Sequence, residues 1–446
     1  MKPSPEIPKL AVFPPSAEVN RDGHLVIAGC DTVDLARRHG TPLYVFDEPA
    51  LRQKCQEFKA EFSRRYPDSR VIYASKAFLN RAMARLVKEE GLGLDVVSGG
   101  ELHTAVSVYF PPSRVYFHGN NKARDELEMA LDWHVGRVVV DNMHELGLLN
   151  ELAGKHGIKQ DILFRVTPGV DAHTHQHTTT GTVDSKFGFP IATGQAEEAL
   201  RRGLATANLN PIGLHFHLGS PIYETSVYEL GIEITLRFAA AMKKKLGWEP
   251  TELSAGGGFA VQYTLDRPAP ATGDYAEAIC RKLAVTAGAL GLKLPRLIVE
   301  PGRAIVARAG VALYTVGAVK DIPGIRRYVC VDGGMGDNIR PAIYGARYEA
   351  LVASKALAME TDTVTIAGKY CESGDILVRD TPLAPVEAGD ILAIPVSGAY
   401  CIPMSSNYNG IPRPAIVFVK NGNARLVRRR ETYDDLLRLD NGRAGA

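Results

Sequence analysis

The chain has 446 residues, 45% of them hydrophobic and 23% charged. These are the proportions of a soluble globular protein with room for more than one domain. Its 52 basic and 50 acidic residues leave a formal net charge of +2, a balance that excludes the large basic field expected of a nucleic-acid or anionic-membrane binder.

No apolar run reaches membrane-span length, and the first residues lack the apolar core of a signal peptide. The six cysteines have no CxxC pairing, which fits reduced thiols, so the expected compartment is the cytoplasm.

Residues 1–20 are rich in proline and are expected to form a loosely ordered tail. Within 21–48, two strand-like runs, Gly23–Ala28 and Leu43–Phe46, flank a helix-like stretch and are expected to join a later β-domain. From Val71 a regular rhythm begins. Short apolar runs at Val71–Ser75, Leu94–Val97, Val115–His118, Arg137–Asp141, Asp161–Val166, Ile212–His217, Glu252–Ala255 and Leu297–Glu300 alternate with amphipathic helical stretches. Eight such repeats predict a (β/α)8 TIM barrel over 49–310. No GxGxxG follows the first run, which argues against a doubly wound sheet. Beyond it, 311–446, helical periodicity gives way to strand-like runs separated by Gly and Pro, predicting a C-terminal β-barrel or sandwich domain.

In a (β/α)8 barrel, active residues gather at the C-terminal ends of the strands. The first strand ends at Lys76, an odd place for an ammonium unless it serves as a nucleophile toward a carbonyl, although most strand-end lysines are solvated surface residues. The seventh ends in Gly256, Gly257 and Gly258, whose backbone N–H groups can face a phosphate. The eighth ends in Glu300, which needs a cationic partner: Arg303 in a structural pair, or a protonated pyridine nitrogen. An aldehyde-bearing pyridine phosphate uses all three features at once, which points to pyridoxal 5'-phosphate. A metal alternative rests on His215-Phe-His217 and the tract His173, His175, His177. A metal barrel wants further carboxylate or histidine ligands from other strands, and strands 1, 5 and 8 offer Lys76, Arg165 and Glu300, so no metal is expected.

Nine longer motifs carry a resemblance: YASKA, DVVSGGEL, FHGNNK, SKFGF, HFHLGS, EPGR, IRPAIY, CESGD and MSSNYN. In this order they resemble the fold-type III pyridoxal-phosphate-dependent decarboxylases, with CESGD and IRPAIY favouring the branch that acts on meso-diaminopimelate. The resemblance implies that Lys76 binds the cofactor covalently and that His217 stacks on its ring. It assigns the cofactor's other contacts to Ser220, Gly256, Gly257, Gly258, Tyr408 and the segment Glu300, Pro301, Gly302, Arg303. Arg303, Arg340, Tyr344, Glu372 and Tyr408 would hold the substrate, and Cys371 would be the proton donor. It further implies a homodimer with shared active sites, in which Cys371 and Glu372 enter the site of the other subunit.

The chain departs from the family at Pro221, at Cys401 and in VDGGMGDN. Two alternatives stand beside the diaminopimelate reading: a sister enzyme acting on ornithine or lysine, and a binding protein without chemistry. Retention of both Lys76 and Cys371 counts against the second.

Overall fold

The computed structural model describes residues 7–170 and 185–440. The His173, His175, His177 tract lies outside them. The chain divides into two units, one comprising Lys54–Ala260 and Ala269–Ala304, the other Met1–Gln53, Val261–Pro268 and Ile305–Ala446.

The larger unit is a closed barrel of eight parallel strands: Ser69–Ala74, Gly93–Val96, Val115–Phe117, Arg137–Val140, Gln160–Thr167, Leu209–His215, Glu252–Ser254 and Arg296–Val299. Each pairs with its successor, and the last pairs with the first through Leu297↔Ser69 and Val299↔Val71. Strands this short and this apolar suit a parallel sheet covered on its outer face by helices. Helices absent from the rhythm read in the sequence complete the ring, among them Gln195–Leu204 and Thr272–Ala289.

Inside the barrel, Ile72, Tyr116, Val139, Leu163 and Ile298 form one fully buried apolar layer. Side chains two residues apart in a strand share a face. The next inward position above that layer therefore falls on His118, Asp141, Arg165 and Glu300, two residues past Tyr116, Val139, Leu163 and Ile298. Asp95, one residue before the end of its strand, and His215, at the end of its own, are in register with Ala74 and Arg165, while Ser254 ends its strand in register with Ile298. The barrel is thus packed with hydrocarbon through its middle and ends, at the C-terminal mouth, in a buried polar layer.

The smaller unit is built on a long strand, Gly310–Ile322, which pairs antiparallel with Leu43–Asp47, Ile391–Ile394 and Arg326–Val331. Leu43–Asp47 is buried along its whole length and sits between Gly310–Ile322 and Ala415–Lys420. An N-terminal segment thereby completes the C-terminal sheet. The other early strand does not join it: Leu25–Ile27 pairs with Glu18–Val19 and Cys30–Asp31 in a separate three-stranded sheet.

The loose tail expected over residues 1–20 is also corrected from Ile7 onward. Pro8–Val12 forms a 3-10 turn, and Val12 and Phe13 are fully buried. Proline composition suggested freedom, but two large apolar side chains in this stretch have a core to enter. Strands Ile376–Leu383 and Asn423–Arg428, rich in charged residues, escape the sequence reading because edge strands need no continuous apolar run.

Candidate active site

Lys76 lies on a 3-10 turn, Ser75–Ala77, that follows the first barrel strand directly. It is exposed, so its placement reflects access rather than the desolvation anticipated from its position. Its charge is felt inside the mouth: burial raises Glu101 to about 7 against the opposing pull of Val97 N–H and Lys76, and burial together with Lys76 holds His217 below its ordinary value. The turn is closely backed by the EPGR segment. Ala74 N–H donates to Pro301 O at 3.2 Å, and a Cβ on Gly302 would come within 3.0 Å of Ala74 and Ala77. Gly302 is what lets the two strand ends approach.

Glu300 occupies the centre of the polar layer. Ser254 Oγ donates to its Oε1 at 2.6 Å, and His215 Nε2 lies 3.2 Å from its Oε2. His118 Nε2 is 3.6 Å from Glu300 and 3.7 Å from Asp95. Burial works against the charge on Glu300, but His215, His118 and the Ser254 hydroxyl outweigh it and hold the carboxyl well below its usual range. Asp95 moves the other way, raised well above it by burial and by the charge of Glu300. The two carboxyls are thus pushed apart, Glu300 toward its charged form and Asp95 toward its neutral one. Among the described residues, His118 Nε2 and Asp95 Oδ1 are buried without a hydrogen-bond partner.

His118, His215 and Glu300 also bring their ligand atoms within 4.8 Å of one another. The His215-Phe-His217 pair itself splits. His215 turns to Glu300, whereas His217 Nδ1 accepts a hydrogen bond from Gly257 N–H at 3.3 Å. An accepting Nδ1 goes with a neutral ring, and burial followed by the nearby Lys76 charge holds His217 well below its ordinary value.

The glycine run makes a cradle that no other residue would fit. A Cβ would meet Phe216 O at 2.5 Å from Gly256, Glu300 O at 2.3 Å from Gly257 and Gly219 O at 2.5 Å from Gly258. Tyr228 Oη donates to Gly257 O at 2.9 Å, and Ile222 N–H to Gly258 O at 2.8 Å, which fixes the run. Pro221 leaves both neighbours engaged: Ile222 in that bond, and Ser220, whose Oγ accepts from Arg303 Nε at 3.2 Å. Gly256 N–H is engaged by Ser254 Oγ at 3.2 Å and Gly257 N–H by His217, so the run offers a close-approach surface free of side chains, and with Glu300 and an accessible amine it fits a pyridine phosphate bearing an aldehyde.

Some polar strand-end residues prove to be structural. Ser98 and Asn142 cap the helices that follow them. Lys122, in the FHGNNK motif, is buried and donates to Gly119 O at 2.8 Å, Val139 O at 2.7 Å and Glu145 Oε1 at 2.7 Å. Three N–H groups on three acceptors leave it nothing to react with.

The remaining predicted residues lie in the smaller unit, in two groups. Cys371 and Glu372 are exposed on a turn tied to the MSSNYN motif. Cys371 N–H donates to Asn409 Oδ1 at 2.9 Å and Tyr408 Oη to Cys371 O at 3.3 Å, with the Tyr370 and Tyr408 rings stacked at 6.1 Å. Asp375 holds the same turn by accepting Tyr370 N–H at 2.8 Å and Met335 N–H at 2.6 Å.

Arg340 and Tyr344 share the short helix Arg340–Tyr344, and they differ sharply in exposure: Arg340 is 6% exposed and Tyr344 65%. The Arg340 guanidinium lies over the rings of Tyr263 at 4.9 Å and Tyr348 at 5.7 Å and donates to Tyr348 Oη. Among the described residues no carboxylate pairs with it. A cleft of about 490 Å³ in this unit is lined by Pro341, Ala342, Tyr348 and Gly374, so the IRPAIY and CESGD segments border one space.

Ser254, Tyr348, Asp375 and Asn409 were not singled out in the sequence. Ser254 had a signal, since it continues the inward face of its strand. Asp375 and Asn409 close the CESGD and MSSNYN motifs, where their structural roles had no signal, and Tyr348 lies in a loop that no periodicity marks.

The family model described as "Pyridoxal-dependent decarboxylase, pyridoxal binding domain" matches residues 49–307, and the chain belongs to that family. Its relatives narrow the membership to the diaminopimelate decarboxylases. It is 48% identical to the diaminopimelate decarboxylase of Bacillus subtilis, over 94% of this chain and 96% of that one. It is 43% identical to that of Mycobacterium tuberculosis H37Rv, over 96% and 97% respectively. The crystal structure of the diaminopimelate decarboxylase from M. jannaschii in co-complex with L-lysine superposes with a TM-score of 0.90, at 35% identity, covering 96% of this chain and 98% of that one.

Proposed function

We propose that the protein removes CO2 from the D-centre of meso-2,6-diaminopimelate and leaves L-lysine. The observation that carries this reading is Arg340, a buried guanidinium that no carboxylate neutralises among the described residues. A buried charge without a counter-ion is costly. A substrate whose far end bears a carboxylate supplies the anion, and guanidinium suits it because the pairing is bidentate.

When bound, pyridoxal phosphate supplies an electron-poor ring that takes up the electron pair left behind by CO2. The chain's own residues do the rest. Lys76 presents its amine at the mouth, and the glycine run Gly256–Gly258, with Ser220, would hold the phosphate. Glu300, held in its charged form, would pair with the ring nitrogen, and the neutral His217, fixed by Gly257 N–H, would stack on the ring. Arg303 and Tyr408 serve both cofactor and substrate, Tyr344 adds to the substrate's surroundings, and Glu372 suits the far amine. The Cys371 thiol returns a proton to the carbon that lost CO2.

A CO2-release assay on a panel of amino acids tests the reading. Lysine and ornithine, taken as substrates, have no second carboxylate and leave Arg340 unpaired. Charge-assisted hydrogen bonds are worth roughly 1.5–3 kcal/mol each, so kcat/KM for meso-diaminopimelate should exceed theirs by at least about a hundredfold. Arg340→Ala should erase most of that difference. Equal turnover of ornithine and diaminopimelate would assign the chain to a sister enzyme.

The assembly we propose is a homodimer acting in the cytoplasm, with Cys371 and Glu372 given by each subunit to the site of the other. Lys76 belongs to the barrel and Cys371 to the smaller unit. Mixing inactive Lys76→Ala and Cys371→Ala proteins should restore about a quarter of wild-type activity, because half of randomly reassorted dimers carry one intact site in two. No recovery after proven subunit exchange would mean that each site is built within one chain.

A further inference from the structure

Arg340 is held by a group to which no part of the reaction has yet been assigned. Tyr348 is buried at 3% exposure, and its hydroxyl accepts from Arg340 Nη1. Behind it lies Cys401, fully buried, with Sγ 3.8 Å from the Tyr348 oxygen and 3.7 Å from Ala399 O. A guanidinium can only donate, so Tyr348 must meet it with a lone pair. The arrangement that uses each donor once then runs in a single direction: Arg340 to Tyr348, Tyr348 to Cys401, Cys401 to Ala399 O. Tyr263 closes the group, its ring meeting that of Tyr348 edge-on at 5.4 Å. Burial raises the phenol well above its ordinary value and pushes the Cys401 thiol up to about 11, so both keep their protons at neutral pH.

We propose that Tyr348 is a positioning residue that fixes the Arg340 guanidinium for the substrate's distal carboxylate and thereby sets specificity for diamino acids that carry one. The proposal rests on the reading that Arg340 binds that carboxylate. Two aromatic faces hold a guanidinium in place but leave it free to turn within its plane. One hydroxyl at one nitrogen removes that freedom and leaves the remaining N–H groups to meet a carboxylate. The orientation matters equally before and during reaction, because the distal carboxylate takes no part in bond breaking. Its loss should therefore appear in KM rather than in kcat.

The test is Tyr348→Phe in the holoenzyme, which keeps the ring over Arg340 and removes only the hydroxyl. L-lysine serves as a second probe because CO2 leaves from the other end of the substrate, so the product retains the distal carboxylate. The amine 1,5-diaminopentane lacks it. Tyr348→Phe should raise KM for meso-diaminopimelate and the calorimetric Kd for L-lysine by about tenfold, the worth of one charge-assisted hydrogen bond. In the same variant kcat should hold within about twofold, and the Kd for 1,5-diaminopentane should not move.

Arg340→Ala is measured alongside. If Arg340→Ala weakens L-lysine while Tyr348→Phe does not, the proposal for Tyr348 is overturned and the carboxylate reading stands. If Arg340→Ala leaves L-lysine binding unchanged, the carboxylate reading fails, and with it the proposal. If Tyr348→Phe weakens L-lysine and 1,5-diaminopentane alike, the hydroxyl serves the fold rather than the carboxylate, which also overturns it.

Discussion

Lys76→Ala is expected to abolish CO2 release, by at least about 10⁴-fold in kcat, since a covalent nucleophile has no substitute in its site. The competing lysines of the barrel show why the effect should be confined to this one. Lys122 is buried with all three N–H groups on protein acceptors. Lys186 lies over the Phe187 ring at 4.9 Å. Lys76 alone of the three stands on the turn that EPGR backs, at the end of the first strand.

The measurement has two arms. Borohydride reduction of the wild-type holoenzyme should fix the cofactor to a single peptide, the one containing Lys76. The alanine variant should then give no labelled peptide at all. A label on Lys122 or Lys186, or a variant that retains a tenth of its activity, would remove Lys76 from the role.

The barrel was open to reading from the sequence because its two signals are both periodic. Apolar runs recur about every twenty to fifty residues, and within each run the inward face repeats every second residue. The polar layer follows from that second period. Once Tyr116, Val139, Leu163 and Ile298 are inward, His118, Asp141, Arg165 and Glu300 must be inward one step higher. A run such as LIVE therefore shows, in four letters, a buried carboxylate at the mouth.

What periodicity cannot show is which polar residues meet. His215 and His217 share a strand face in the sequence, yet one reaches Glu300 and the other Gly257, because the strand ends at His215 and the chain turns. The cage around Arg340 was hidden for a different reason. Tyr263, Tyr348 and Cys401 come from three separate loops, and only the folded chain brings them together. The N-terminal segment misled through composition. Prolines in residues 1–20 spoke for freedom, while Val12 and Phe13 decided for burial.

The second large effect concerns charge alone. Glu300→Gln preserves the shape of the side chain and leaves Ser254 and His215 a polar neighbour, but removes the anion on which the polar layer is centred. A preorganised charge in a buried site is worth far more than one in water, and deleting a single such group typically costs about 10²–10³ in kcat. Glu300→Gln should fall in that range with KM changed little, because the anion acts on charge that develops during reaction rather than on the resting substrate.

Asp95→Asn supplies the contrast. Asp95 lies in the same layer, joined to Glu300 through His118, and burial with the charge of Glu300 pushes it toward its neutral form. Replacing a neutral acid by a neutral amide of the same shape should cost no more than about a tenth of the Glu300 effect, if the charge is what matters. The two variants are compared by kcat at the same pH, with cofactor in excess. Equal losses in both would mean that the cluster acts through its packing and hydrogen bonds. A Glu300→Gln enzyme within about threefold of wild type would show that the ring nitrogen needs no anion here.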